Sequence, residues 1–319
     1  MIISVTMNAA IDRTVAVPNF HLGHRHRSVE TRTVPGGKGI NVARALGLLG
    51  RPVIATGLVG GGNGDRVLKQ LGEEGLLTDF IRIAEETRFN LALVDPTSGE
   101  QTEVNERGPK VTPEELDTFV ERLHYLAGGA KLCVLAGSLP QNVDVEFYAR
   151  LVEALRQAGL PVLLDSEGEA MSAGMRAGPD MITPNKLEAE ELVGHEFDDS
   201  REEMVAVLSE LVEMGPSEAA ITLPEGCVAM VGEGPEQRIL EAVIEPLDPI
   251  STVGSGDAFV AGYIAARYDG GSPEECLAYG VACGAESTQH LGAGVVDRGR
   301  AESLLGNVEV RRLELPAGV

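Results

Sequence analysis

The chain has few cysteines, few basic side chains and no long apolar run, and each shortage closes off a class of protein. Cys133, Cys227, Cys276 and Cys283 form no C-x-x-C pair, and a chain of 319 residues needs no disulfide framework to hold a core. They read as reduced thiols, which makes the cytoplasm the expected compartment. Lys and Arg number 26 against 49 Asp and Glu, a formal net charge of −23. Phosphate backbones and anionic lipid repel such a chain, which argues against nucleic acid and membrane surfaces as partners. No run of about 18 apolar residues occurs, so no membrane-spanning helix is expected. The opening MIISVTMNAAIDR is interrupted by Asn8, Asp12 and Arg13 and has no basic leader, unlike a secretory signal.

What is present is a globular composition, 43% hydrophobic with 39 glycines, long enough for one large domain and a smaller appendage. Short β-rich runs alternate with helical patterns: IISVTM, GINVARALGLLG, PVIATGLVG and GDRVLKQLGEEG. The alternation continues with KLCVLAG (131–137), VEFYARLVEALRQAG (145–159), PVLLD (161–165) and DMITP (180–184). This rhythm predicts βαβ units around a mostly parallel sheet covered by helices on both faces. Residues 13–34 and 88–106 differ, alternating apolar and polar side chains around turn signals such as Pro96-Thr97-Ser98-Gly99. The expected division assigns 1–12, 35–87 and 107–319 to an α/β body, and 13–34 and 88–106 to antiparallel hairpins forming a small β lid. The lid would cover a crevice at the strand ends, where open α/β sheets build their sites.

Three segments could carry chemistry. In Ser251-Thr252-Val253-Gly254-Ser255-Gly256-Asp257 a small-residue turn runs into an apolar helix. The first amides, those of Gly254, Ser255 and Gly256, would point unpaired from a helix end carrying about half a positive charge, which suits a phosphoryl group in flight. Asp257 beside them could accept a proton from an attacking hydroxyl. An ordinary glycine-rich loop with Asp257 as a helix-terminal charge explains the same residues. In Pro35-Gly36-Gly37-Lys38-Gly39-Ile40-Asn41, glycines again open a helix, but Lys38 is followed by Gly39 and no Walker A loop is formed. Backbone amides, Lys38 and Asn41 there could hold a polyhydroxy, anionic ligand; a plain turn is the alternative. In Thr183-Pro184-Asn185-Lys186-Leu187-Glu188, Asn185 and Glu188 share one helix face and fit either a hydrated Mg²⁺ or a capping box.

Further candidates are Asp12 at the first strand's end, Arg88 opening the second insert, Ser138 at a strand's C-terminal end, and Arg25 and Arg27 in the first insert. In so acidic a chain the basic run His24-Arg25-His26-Arg27 could, with Lys38 and Arg88, hold an anionic group, or be a solvated hairpin turn. Gly60-Gly61-Gly62-Asn63-Gly64 fails the dinucleotide spacing, and no His/Cys set has metal-ligand spacing.

Together these residues resemble the ribokinase-like (PfkB) sugar kinases, in the branch of 1-phosphofructokinases and tagatose-6-phosphate kinases. TVGSGDAFVAG is similar to the family's C-terminal signature and PGGKGINVARAL to its N-terminal one. Thr6, Asn8 and Asp12 in TxNxxxD, TRFN at 87–90, AGSLP at 136–140 and DSEGEAM at 165–171 resemble the phosphosugar branch. The resemblance implies a three-layer α/β fold with a small β-sheet lid and ATP·Mg²⁺ as phosphoryl donor. It implies Asp257 as catalytic base, with the Gly254, Ser255 and Gly256 amides as anion hole. Asp12, Gly37, Lys38 and Asn41 would contact sugar hydroxyls, and Arg88, Ser138, Lys38 and Arg27 the phosphate that the acceptor already carries. Asn185 and Glu188 would organise Mg²⁺ through water, and Thr222, Gly226 and His290 would line the nucleotide pocket.

The chain departs from the family pattern at Thr222-Leu223-Pro224-Glu225-Gly226, where Pro224 removes an N–H, at Ala9 where Pro is usual, and at Glu167 where a small polar residue is common. The expected activity is phosphorylation of a ketohexose monophosphate to the bisphosphate, with fructose 1-phosphate leading. Tagatose 6-phosphate or fructose 6-phosphate is the alternative acceptor, and a non-catalytic sugar-phosphate binding protein the distant one. The lid is expected to pair two copies into a homodimer.

Overall fold

The run Ile2–Thr6 is buried at every residue because it lies inside a sheet with helices on both faces. The computed structural model describes residues 1–232 and 234–313; Glu233 and residues 314–319 of the expected body lie outside them. The chain opens with β1 (Ile2–Thr6), β2 (Ala10–Ala16) and β3 (Glu30–Gly36). There follow α1 (Lys38–Leu48), β4 (Val53–Gly60), α2 (Gly61–Glu73), β5 (Leu77–Ile83), β6 (Arg88–Val94) and β7 (Gln101–Asn105). Next come α3 (Pro113–Ala127), β8 (Leu132–Ala136), α4 (Phe147–Gln157), β9 (Val162–Asp165), α5 (Gly168–Arg176) and β10 (Met181–Ile182). After these stand α6 (Lys186–Val193), α7 (Arg201–Glu213), β11 (Glu218–Leu223), β12 (Gly226–Val231) and β13 (Arg238–Val243). The described chain closes with α8 (Ser255–Tyr268), α9 (Pro273–Ser287), α10 (Arg298–Leu304) and β14 (Glu309–Leu313).

Among the described residues, ten strands form one sheet in the order β14-β13-β12-β11-β10-β9-β8-β1-β4-β5. Neighbours from β11 through β5 run parallel, and β12, β13 and β14 add an antiparallel edge. One face buries Ile3 and Val5 against α3, α4, α5 and α7, through side chains such as Phe119, Leu151, Met175 and Leu208. The other buries Ile2 against α1, α8 and α9, through Leu46, Phe259, Tyr263 and Leu277. Alternate residues of one strand thus serve two cores, which is why these strands read as unbroken apolar runs. Parallel register aligns the C-terminal ends: Thr6 pairs with Gly57 and with Ala136, and Ala136 with Asp165. That rim is where the site forms.

The second sheet has the order β3-β2-β6-β7. Both expected hairpins are present, β2 with β3 and β6 with β7 antiparallel, and they join through the parallel pair β2 and β6. Its strands reach further than the residues 13–34 expected of the first insert: β2 begins at Ala10 and β3 ends at Gly36, so Asp12 is itself a lid-sheet residue. The Asp95 carboxylate accepts from the amides of Thr97 (2.8 Å), Phe20 (2.8 Å) and Asn19 (3.0 Å), tying the two hairpins' turns together. Those hydrogen bonds, Thr97's foremost, hold its pKa down at about 2. All four cysteines are free and buried. Among the described residues no helix is long and apolar enough to cross a membrane.

Candidate active site

Lys38 is the first residue of α1, and Gly37 before it caps the helix without a side chain. Its ammonium stands 2.8 Å from Asp165 Oδ1, at the end of β9, and 3.5 Å from Glu188 Oε1, in the first turn of α6. Burial alone lowers the lysine's pKa, but attraction to Asp165 and Glu188 outweighs it and holds the ammonium charged. One cation therefore faces two carboxylates, with a third, Asp257, close enough to feel all of them.

Asp257 lies in the first turn of α8 and is buried. Asn41, one turn into α1, donates from Nδ2 to Asp257 Oδ2 at 2.8 Å. The amide's other end is fixed too: Arg44 Nη1 donates to Asn41 Oδ1 at 3.1 Å. Burial raises the Asp257 pKa most, the charge of Asp165 raises it next, the Asn41 hydrogen bond and Lys38 oppose, and Glu188 adds a small rise; together they push it up to about 7. A buried carboxyl poised near neutrality is suited to taking up a proton in a reaction.

The turn leading into α8 is built as the sequence predicts, with one correction. Gly254 is left-handed (φ 82°) and caps the helix, and a Cβ there would stand 2.5 Å from the Ala293 side chain, so a larger residue would have to displace the neighbouring segment. The Ser255 amide, expected to be free, donates to the Thr252 carbonyl at 3.2 Å. The tight turn that glycine permits closes an i to i+3 bond. Of the three expected amides, those of Gly254 and Gly256 are the ones left to face an anion.

On the other side of Lys38 a cavity of about 210 Å³ opens beneath the lid, lined by Thr6, Asn8, Gly37, Lys38, Arg88 and Ser138 among others. Arg88 spends two of its N–H groups on the carbonyls of Asn8 (3.2 Å) and Glu106 (3.1 Å), which aims the guanidinium from the lid toward the body. Asn8 in turn donates to Ser138 Oγ at 3.2 Å. Asp12 accepts from Asn90 Nδ2 at 2.8 Å; burial raises its pKa while Asn90 and Arg88 oppose. Among the described residues, Thr6 Oγ1, Asn8 Oδ1 and Asn90 Oδ1 are buried without a hydrogen-bond partner.

Asn185 and Glu188 form the capping box that the sequence left open: Asn185 Oδ1 accepts from the Glu188 amide and Glu188 Oε2 from the Asn185 amide, both at 2.9 Å. Glu188 Oε1 meanwhile faces Lys38, so the cap and the charged cluster share one side chain. Thr222 lies alongside, its amide donating to the Pro184 carbonyl at 2.9 Å. Gly226 pairs with Leu223 across the Pro224-Glu225 turn. With φ 150° and a Cβ position 2.0 Å from the Ala242 carbonyl oxygen, it must be glycine for strand packing alone. His290 is turned to Glu286, Nε2 standing 2.7 Å from Oε1. Arg27 is exposed between β2 and β3 and is not among the cavity's lining residues.

The structure thus brings together Lys38, Asn41, Asn185, Glu188 and Asp257, and places Arg88, Ser138 and Gly37 at one adjoining cavity. It adds Asp165, Arg44, Asn8 and Asn90, which sequence reasoning did not assign to the site. Asp165 had a signal, an acidic residue closing the apolar strand PVLLD at the sheet's C-terminal edge. Arg44 had none, because its role depends on how α1 packs.

The sequence profile of the pfkB family carbohydrate kinases matches residues 2–297. A 1-phosphofructokinase of Borreliella burgdorferi is 30% identical over 285 residues, 89% of this chain and 90% of that one. Among solved structures, phosphofructokinase-2 of Escherichia coli in complex with potassium superposes with a TM-score of 0.89 at 28% identity, covering 96% of this chain and 98% of the other. A possible 1-phosphofructokinase of Thermotoga maritima superposes with a TM-score of 0.87 at 25% identity, covering 98% and 100%.

Proposed function

The chain belongs to the pfkB family of carbohydrate kinases, phosphotransferases with an alcohol acceptor, and from that premise we propose that it converts fructose 1-phosphate to fructose 1,6-bisphosphate with ATP and Mg²⁺. The observation that carries this reading is the adjacency of two half-sites. Asp257, held by Asn41 and poised near pH 7, adjoins the Gly254 turn, and Lys38 connects that pole to a lid-covered cavity bearing Arg88 and Ser138. One half suits an acceptor hydroxyl and the other an existing phosphate.

In this mechanism the ionised Asp257 takes the proton of the acceptor hydroxyl as that oxygen attacks the γ-phosphorus, and the bond to the β-phosphate oxygen breaks to release ADP. The Gly254 and Gly256 amides stabilise charge on the phosphoryl group in transit. Arg88, Ser138 and Lys38 anchor the acceptor's own phosphate, and Asp12, Gly37 and Asn90 orient its hydroxyls. Thr222, Gly226 and His290 serve the nucleotide side. Asp165, Glu188 and Asp257 outnumber the single Lys38 charge, and Asn185 and Glu188 stand fixed in the capping box. Asn185 and Glu188 are the residues proposed to hold Mg²⁺, through water, since Glu188 Oε1 already faces Lys38 and Oε2 the Asn185 amide. Bound there, Mg²⁺ would supply charge neutralisation for the nucleotide phosphates. The lid excludes water from the reaction.

A 6-phosphorylated ketohexose is the second reading, favoured by the close superposition on phosphofructokinase-2; a bound furanose is nearly symmetric end to end, and one basic cavity can take either. The protein is proposed to act in the cytoplasm as a homodimer through its lid, where β7 is exposed at every residue and Val104 at 57%. The test is ADP release with Mg·ATP and a panel of fructose 1-phosphate, fructose 6-phosphate, tagatose 6-phosphate, fructose and adenosine. The highest kcat/KM for fructose 1-phosphate supports the reading, preference for a 6-phosphate selects the second, and no turnover with any overturns both.

A further inference from the structure

Behind the anion turn runs the segment from Thr288 to Asp297, which joins α9 to α10. Its beginning is tied to the chain entering the turn: the amides of Ile250 (2.8 Å) and Ser251 (3.1 Å) donate to the Thr288 carbonyl, and Gln289 Nε2 donates to the Asp248 carbonyl at 3.0 Å. Its end is tied to α9, where the buried Glu286 accepts from the Asp297 amide at 2.8 Å and engages His290 with its other oxygen. Its middle touches both halves of the phosphoryl-transfer apparatus. Ala293 packs against Gly254, and the position of a Gly294 Cβ lies 2.6 Å from the Asn41 carbonyl oxygen.

The lid reaches the same stretch. Arg32, paired with Thr14 across β3 and β2, donates from Nη1 to the Leu291 carbonyl at 2.5 Å, and its guanidinium lies over Gly292. We propose that Arg32 is a positioning residue that latches the lid to the Leu291–Gly294 segment, so that lid seating on the acceptor sets the Gly254 turn and the Asn41-Asp257 pair behind it. The path is contiguous: lid strand, Leu291 carbonyl, Ala293 and Gly294, then Gly254 and Asn41. Acceptor binding and phosphoryl stabilisation are then not independent, and a chain without the latch hydrolyses ATP unproductively more often. This rests on the kinase reading above.

The test uses the full chain as wild type, Arg32→Ala and Arg32→Lys. Three readouts are compared: hydrogen exchange of the 289–294 amides with sugar phosphate present, kcat and KM for acceptor phosphorylation, and ATP hydrolysed without transfer. A charged hydrogen bond lost should speed exchange in 289–294 by about tenfold and lower kcat by about tenfold in Arg32→Ala. KM for ATP should stay put, β13 exchange unchanged, and Arg32→Lys should recover part of kcat. Unchanged exchange in 289–294 overturns the latch; faster exchange with unchanged kcat and unchanged unproductive hydrolysis overturns its part in transfer. If the wild type transfers phosphate to no sugar, the proposed function falls, and exchange still decides the latch.

Discussion

Asn41 donates to Asp257 through an amide whose far end is itself held by Arg44, so the carboxylate is oriented by a residue that cannot turn over without losing a second bond. The hydrogen bond favours the ionised form of Asp257 and works against the rise that burial imposes. Asp257 is thus kept titratable near neutrality with the help of a side chain from a different helix.

Replacing the base is the most direct test of this arrangement. Asp257→Asn keeps the size of the side chain and should lower kcat by about 10²- to 10⁴-fold, the usual contribution of general-base catalysis. Circular dichroism should be unchanged, so the loss reads as chemistry. Retention of more than a tenth of wild-type kcat would remove Asp257 from the base role.

The same variant makes an opposite prediction for stability. Burial pushes the Asp257 pKa up to about 7 from the ordinary carboxylate value of 3.8, so between those values the folded state binds the extra proton. Stability falls as pH rises through that window, and the penalty is complete above it. Asp257→Asn should therefore raise Tm at pH 8 and leave it nearly unchanged at pH 4. Equal Tm differences at both pH values would contradict the burial argument.

Removing the orienting amide acts on the pH profile. Asn41→Leu deletes the bond that lowers the Asp257 pKa, so the acidic limb of kcat/KM should move to higher pH and activity at pH 7 should drop. At pH 9 the variant should regain part of the difference. A limb that stays in place would show that Asn41 acts elsewhere, on sugar hydroxyls as the family resemblance implies.

Arg88 separates binding from chemistry. Its guanidinium lines the lid-covered cavity, which Asp257 does not, so Arg88→Ala should raise KM for the sugar phosphate by about tenfold or more, a charged hydrogen bond's worth. The kcat should change less. An unchanged KM would mean the acceptor's phosphate is anchored elsewhere.

Legibility of the sequence followed the distance over which each interaction acts. Strand runs such as IISVT and helix starts at Lys38, Lys186 and Ser255 are readable, because periodicity, glycine punctuation and a capping pattern are local. The lid hairpins are readable by alternation, but not that β2 starts at Ala10, since Ala9-Ala10-Ile11 carries no alternation to mark where the small sheet begins. The pairing of Lys38 with Asp165 spans 127 residues and exists only because parallel register sets β9 beside β8. The Ser255 amide departs from helix rules because the Thr252 carbonyl competes for it, a turn bond those rules do not include. Arg44 looks like any basic residue on a helix until α1 is packed against the end of α8.

The capping box of α6 also sets when order is acquired. Asn185 and Glu188 fix each other's rotamers as the helix forms, so the loss of side-chain freedom at this corner of the site belongs to folding. In the proposed kinase a cation arriving later would meet donors that are already immobile, and its affinity would not be reduced by having to organise them. The same economy has a mechanical side: a substitution at either position frays the first turn of α6 and loosens Glu188 from Lys38 at once, so helix stability and site charge cannot be changed separately there.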